Sequence, residues 1–350
     1  MSTQADSSTQ QAPPPEVQMT QMLFGKMALH SAMALARIGV PDHMSDLPRP
    51  VEDIAAGCGA HAPSLYRVLR LLSSLGLFIE GPARHFALTN LGAVLRTDHP
   101  RSMRDMAIMF SDPWVLTAYS RMDDVLRTGT DGPTLAFGEH GFHYLAKHPA
   151  EAANFNRAMT GFSAVTGQAL LQIADFSQFT KMADCGGGHG WLLSTILQRF
   201  PNLRGVLYDL PEVIQGAPAA GHFAPCADRI EYQHGSFLES VPSGCDAYFM
   251  KHIIHDWDDE SCRKILSLMR DELLKTAPET GRIFICEMVV GETPEPGPAK
   301  FLDIEMLVCT PGGKERTAAE FAALFASAGL RLVRITPSQS PICLIEAAPL

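Results

Sequence analysis

The chain has 350 residues, 46% of them hydrophobic, a net charge of −10 and eight cysteines. That length can carry two domains with substantial cores, while the acidic balance argues against non-specific binding to nucleic acid or an anionic membrane surface. No apolar run approaches the roughly 18 residues that a membrane span needs, and the scattered cysteines, with no C-x-x-C pair, read as free thiols of a reducing compartment, so a cytoplasmic location is expected.

Residues 1–15 are mostly Ser, Thr, Gln, Ala and Pro, without the basic start and apolar core of a secretory signal, and are expected to form a disordered tail. From Glu16 to Val40, Met19, Met22, Leu23, Met27, Ala28, Ala32, Met33, Ala36 and Ile38 recur at helical spacing with little charge. Such a stripe suits a core helix or a helix shared with a second subunit. A short helix over 51–56, closed by Gly57, precedes an amphipathic helix over 63–75, ended by Gly76. Residues 77–80, a Gly81-Pro82 turn and residues 85–88 predict a hairpin. Helix, turn, helix and hairpin make a winged-helix-like pattern over 16–100. A DNA-binding regulator is one reading of it, but the second helix offers only Arg67 and Arg70 among leucines. In an acidic protein, a dimerisation domain is the favoured reading.

Residues 101–178 form a predicted helical connector that contributes to a substrate pocket. Met103, Met106, Met109 and Phe110 lie at helical spacing; such residues either fill a core, the preferred reading, or mould to a flat ligand. A long helix is expected over 151–174, and its Phe155 and Met159 are candidate substrate contacts.

From 179 to 350 strands and helices alternate. Strands are expected near 181–185, 204–208, 229–232, 246–251, 282–287, 330–336 and 342–347, with helices near 258–275, 300–309 and 317–328. This predicts an α/β, Rossmann-like domain with a parallel sheet and, from the closing hairpin, one antiparallel strand. Ligands of such sheets bind at the C-terminal strand ends, where Asp184, Asp209, Ser236, Lys251 and Glu287 fall.

The first strand runs into Asp184-Cys185-Gly186-Gly187-Gly188-His189-Gly190 and then a helix. Glycines at 186, 188 and 190 permit positive φ and close approach of a ligand. Asp209, about 20 residues further on, is suited to ribose hydroxyls. A dinucleotide would put its pyrophosphate on the helix N-terminus, where the carboxylate of Asp184 is unwelcome. The cationic amino acid moiety of S-adenosylmethionine suits that carboxylate, so this cofactor is favoured over NAD.

His255 sits where the fourth strand gives way to a helix. An imidazole titrates near neutrality and can take a proton from a phenol. His252 and His255 as a metal pair are disfavoured, because a strand sends positions three apart to opposite faces; no metal is expected. A structural histidine is the plainer alternative.

Asp184 to Gly190 with Asp209-Leu210-Pro211, the His255-Asp256-Trp257 block and Pro311-Gly312-Gly313-Lys314-Glu315-Arg316-Thr317 resemble, in order and spacing, the class I S-adenosylmethionine-dependent O-methyltransferases of the caffeic acid and hydroxyindole type, and the likeness covers nearly the whole chain. The resemblance implies that His255 is the general base, flanked by Glu287 and Glu315. It places Gly186, Asp209, Phe237 and Lys251 on cofactor positions, with Asp209 on the ribose and Phe237 against the adenine, and Asp256 on the acceptor substrate. It also implies a homodimer with interlocked N-terminal helices. Where the family has Gly-Asp, this chain reads Gly235-Ser236-Phe237, which replaces a charged acceptor by a weaker one, at about 1 kcal/mol of cofactor binding. The function implied is methylation of a phenolic or similar hydroxyl on a small aromatic or polycyclic secondary metabolite, with an N-methyltransferase of a heteroaromatic metabolite as the alternative.

Overall fold

In the computed structural model, which describes residues 13–350, the N-terminal apolar run is one helix, α1 (Pro15–Arg37), with proline in its first turn, where a missing N–H does no harm. Its buried residues, Met33, Leu35 and Ala36, lie near its C-terminal end, while Met19, Met22, Leu23, Phe24 and Met27 are each more than half exposed. The tail expected over 1–15 falls, up to residue 12, outside the described residues.

After α1 come β1 (Arg49–Pro50), α2 (Val51–Cys58), α3 (Ala62–Ser74), β2 (Phe78–Gly81) and β3 (His85–Leu88), the strands pairing antiparallel in the order β1-β3-β2. Helix α2 does not close at Gly57. It ends at Gly59, with φ of 69°, whereas a Cβ on Gly57 would lie 2.7 Å from the His43 ring, so that glycine serves packing. Leu35, Ile54, Leu65, Leu69, Leu72, Phe78 and Phe86 form the core of this region. On α3, Arg70 is drawn over the Tyr66 ring at 5.4 Å, and Arg84 covers the same ring at 4.8 Å. With α4 (Asn90–Ala93) and α5 (Arg104–Phe110) these elements make one compact unit that ends at Ser111; a second runs from Asp112 to Leu350.

The second unit begins with α6 (Pro113–Tyr119), α7 (Met122–Thr128), α8 (Gly132–Phe137), α9 (Gly141–Lys147) and α10 (Pro149–Ile173). The alternating region follows: β4 (Lys181–Cys185), α11 (Trp191–Arg199), β5 (Arg204–Asp209), α12 (Pro211–Gly216), β6 (Ile230–His234), β7 (Ala247–Lys251), α13 (Asp259–Thr276), β8 (Arg282–Val290), α14 (Pro298–Cys309), β9 (Arg316–Thr317), α15 (Ala318–Ser327), β10 (Leu330–Pro337) and β11 (Ile342–Pro349). Trp114, Val115 and Ala118 of α6 and Leu145 of α9 share a core with Val308 and Cys309 of α14.

The sheet order is β10-β11-β8-β7-β4-β5-β6, with β9 beside the end of β8. Strands β6, β5, β4, β7 and β8 are parallel, and β11 is antiparallel to both its neighbours, which leaves it the single antiparallel strand that the closing hairpin implies. Alternate residues feed two cores: Ala183 and Cys185 pack toward α13 and α15, Met182 toward α10 and α11. Caps sharpen the helix starts: Asp258 accepts the Ser261 N–H before α13, and Thr317 and Glu320 form a capping box on α15. Since β4 lies between β5 and β7, the strand order reverses there, and the crevice at the ends of β4 and β7 is where such sheets bind ligands. No described helix is long and apolar enough to cross a membrane.

Candidate active site

After β4 the chain turns through Gly186, Gly188 and Gly190 with φ of 79°, 59° and 84°, a region that residues bearing a Cβ rarely enter. Gly186 donates its N–H to the Tyr208 carbonyl at 2.8 Å. A Cβ there would come within 2.5 Å of Ile253, while one on Gly188 would meet nothing within 4 Å, so the turn is open at its tip. Gly190 caps α11 without a side chain, which leaves first-turn N–H groups directed at the loop.

Two carboxylates stand beside this cradle. Asp209 ends β5 and is fixed by accepting the Gly188 N–H at 2.8 Å and the Leu210 N–H at 2.7 Å. Asp184 is 3% exposed; burial first, then the Asp209 charge, push it up to about 7, with Lys251 opposing. A buried acid so perturbed gains from a neighbouring cation. Ser236 accepts the Leu238 N–H at 3.3 Å, a local turn, and Phe237 stands edge-on to Trp257 with ring centres 6.1 Å apart. Lys251, at the end of β7, donates to Ser163 Oγ at 3.1 Å and lies 5.3 Å from the centre of the Phe162 ring. Burial lowers it to about 8, against the pull of Cys286, Asp184 and Glu287.

His252 then takes φ of 52°, and strand alternation stops there. The rings of His252 and His255 consequently lie 4.9 Å apart, not on opposite faces as an unbroken strand would send them. Among the described residues no cluster of three or more His, Cys, Asp and Glu could hold a metal ion.

His255 is 5% exposed in a short turn, Ile254–Asp256. Its Nδ1 meets Glu315 Oε1 at 2.5 Å, and its Nε2 lies 3.6 Å from Asp256 Oδ1. The two glutamates part company here. Glu315 meets the imidazole, whereas Glu287 Oε1 accepts the backbone N–H groups of Ile253 at 3.3 Å and His255 at 3.1 Å. Burial and then Asp303 push Glu315 up to about 8, Arg316 opposing, and the Glu315 N–H is anchored on Asp303 at 2.9 Å. Asp256 rises to about 7, burial first, with His255 opposing. Buried Arg316 donates to the carbonyls of Ile254 and Trp257 at 3.0 and 3.1 Å, and a Cβ on Gly313 would sit 2.3 Å from the His255 carbonyl. The Pro311–Thr317 block therefore clamps the histidine turn. When Glu315 is ionised, its carboxylate on Nδ1 selects the tautomer with its N–H there and leaves Nε2 to accept a proton.

Phe155, Met159 and Ser163 are spaced to share one face of α10. Phe155 meets Phe142 of α9 edge-on at 6.2 Å, and Phe142 stacks on Trp257 at 6.3 Å. An aromatic line thus runs from Phe155 to Phe237. Every residue singled out as a site candidate lies in the second unit. Sequence reasoning missed Ser163, Phe142 and Asp303; Ser163 lies 88 positions from Lys251, so no local pattern could pair them.

The open glycine turn, the fixed Asp209 and the cation-seeking Asp184 fit S-adenosylmethionine. A model of the O-methyltransferase domain matches residues 119–331. The chain is 39% identical over 335 residues to the phenazine O-methyltransferase of Lysobacter antibioticus, across 95% of this chain and 96% of that protein. It is 36% identical over 315 residues, 89% of each protein, to 8-amino-8-demethylriboflavin N,N-dimethyltransferase of Streptomyces davaonensis. A solved methyltransferase of calicheamicin biosynthesis, in its S-adenosylhomocysteine-bound form, matches with a TM-score of 0.83 at 33% identity, over 96% of this chain and 98% of that one.

Proposed function

The chain belongs to the S-adenosylmethionine-dependent O-methyltransferase family, and from this premise we propose that it methylates a phenolic or similar hydroxyl of a small aromatic or polycyclic metabolite, with His255 as general base. One observation carries this: a buried imidazole bound through Nδ1 to Glu315 at 2.5 Å, beside the cofactor crevice.

S-adenosylmethionine, when bound, supplies the electrophilic methyl group. Asp184 would meet its cationic end, Asp209 the ribose hydroxyls and Phe237 the adenine, with Gly186, Gly188, Ser236 and Lys251 completing the cradle. A phenol of pKa near 10 is a weak nucleophile until its proton leaves. His255 Nε2 takes that proton, and Glu315 holds Nδ1–H and stabilises the imidazolium. Glu287 keeps the backbone of the turn in place, and Asp256 orients the acceptor hydroxyl. Phe155, Phe142 and Met159 hold a flat ring and keep water out, so alignment and exclusion of water do most of the work.

A nitrogen acceptor is the second reading, favoured by the relative whose name is that of an N,N-dimethyltransferase; it would leave His255 without a proton to take. Incubation with methyl-labelled cofactor, a panel of phenols and their amino analogues, followed by mass spectrometry, separates the two. Label on oxygen is expected; label on nitrogen alone would replace the hydroxyl reading.

The exposed apolar length of α1 is unfavourable for a helix alone in water, and it supports a homodimer in which residues 16–100 serve pairing, 101–178 the substrate pocket and 179–350 the cofactor.

A further inference from the structure

The group with no task so far is His252. Neither of its ring nitrogens has exposed surface or a hydrogen-bond partner among the described residues. Burial, with Lys251 and His255 close by, holds its pKa well below that of an ordinary imidazole, which keeps it neutral. A neutral imidazole offers one donor and one acceptor, and leaving both unmet inside a protein is unfavourable. The backbone is strained at the same residue, with φ of 52°. Strain and orphaned polar atoms persist together where a ligand is to be met.

The His252 ring lies 5.3 Å from that of Phe162 and 4.9 Å from that of His255, centre to centre. The residue as a whole is only half-buried. A half-turn about Cβ–Cγ, a soft two-fold torsion, exchanges the positions of ring nitrogens and ring carbons, so a bound ligand can draw a nitrogen to either position without changing the ring's volume. Charged groups of the cofactor would find charged partners in Asp184 and Lys251. A neutral donor and acceptor next to the general base suits an uncharged polar atom instead.

Building on the hydroxyl methylation proposed above, we propose that His252 is a specificity residue that hydrogen-bonds a second polar atom on the acceptor's aromatic system, vicinal or peri to the hydroxyl facing His255. Hydrogen bonds reach about 3 Å, so two rings with centres 4.9 Å apart and a tilt of 33° address atoms on one edge of a ring system, not atoms across it. The favoured acceptors are catechols, peri-hydroxy quinones and heteroaromatics with a ring nitrogen beside the hydroxyl.

The experiment measures kcat/KM for a vicinal diol and its monohydroxy analogue on the same skeleton, with wild type, His252→Phe, His252→Gly and His252→Asn, and cofactor affinity by calorimetry. Wild type should prefer the diol at least tenfold. Phe and Gly, which have no polar side-chain atom, should each cut that preference about tenfold, and Gly accepts the left-handed backbone should Phe fail to fold. Asn, which tolerates positive φ and both donates and accepts, should restore at least a third of it. Equal use of both acceptors by wild type, a preference unchanged in the Gly variant, or a loss on both acceptors that follows cofactor affinity would each overturn the role of His252. Absence of oxygen methylation on any hydroxyl acceptor in wild type would instead remove the underlying reading, and this proposal with it.

Discussion

Replacing Asp184 with Asn probes the electrostatics behind the cofactor preference. The carboxyl is raised from 3.8 to about 7, burial being the main cause. That shift of about 3 units, at about 1.4 kcal/mol each, makes the ionised side chain about 4 kcal/mol less favourable in the fold than in the unfolded chain. The folded state holds the proton more tightly, so the penalty is absent below about pH 4, grows up to about pH 7 and is constant above that. Asn is neutral throughout. In urea unfolding without cofactor, Asp184→Asn should match wild type near pH 4 and exceed it by about 2–4 kcal/mol at pH 8.5. Calorimetry at that higher pH should show S-adenosylmethionine bound about 10–100-fold more weakly, from loss of a charge-assisted bond. A variant that gains stability in the empty state while losing its ligand is the signature of a buried carboxylate kept for a cation. Stability curves that run parallel over the whole pH range would refute the buried-acid reasoning, and undiminished affinity would refute the cation site.

Asp209→Ala should weaken S-adenosylmethionine at least tenfold by calorimetry, since the carboxylate held by Gly188 and Leu210 is the proposed ribose acceptor; unchanged affinity would remove that role. Glu315 must be ionised to hold the His255 Nδ1–H, so with that carboxyl at about 8 kcat/KM should fall as pH drops through 8. Glu315→Gln, which no longer stabilises the imidazolium, should lower kcat about 10–100-fold and remove this limb, since the amide does not titrate. Glu287→Gln keeps an oxygen for the two backbone N–H groups and should lose less than tenfold, so equal losses would mean that both glutamates act alike on the ring. Light scattering at micromolar concentration should return twice the 38.1 kDa chain mass; a monomer mass would contradict pairing through α1.

The parallel sheet was legible because strands and helices alternate from 179 on, and charge on β4, β5 and β7 is confined to their ends. The glycine turn was legible because positive φ leaves few residue choices, and Asp184 separated two cofactors by charge alone. Distance was not legible: Ser163 on Lys251 and Asp303 on Glu315 join elements far apart in the chain. Extrapolating a strand through residues 252–255 sent the two imidazoles to opposite faces, and a single left-handed residue undid that. Glu287 and Glu315 came from family likeness as an equivalent pair, yet one meets a ring and the other a backbone. Gly57 looked like a helix stop and proved to be a packing contact, because a short-range rule cannot see His43 folding back on α2.

The central claim is tested most directly by His255→Ala, assayed with a phenol of ordinary pKa and with an acceptor already ionised at neutral pH, cofactor binding being followed in parallel. Removal of a positioned general base should lower turnover on the ordinary phenol by about 10²–10⁴, lower it far less on the pre-ionised acceptor and leave S-adenosylmethionine affinity nearly intact. Equal activity of variant and wild type on both acceptors would make His255 structural and contradict the account.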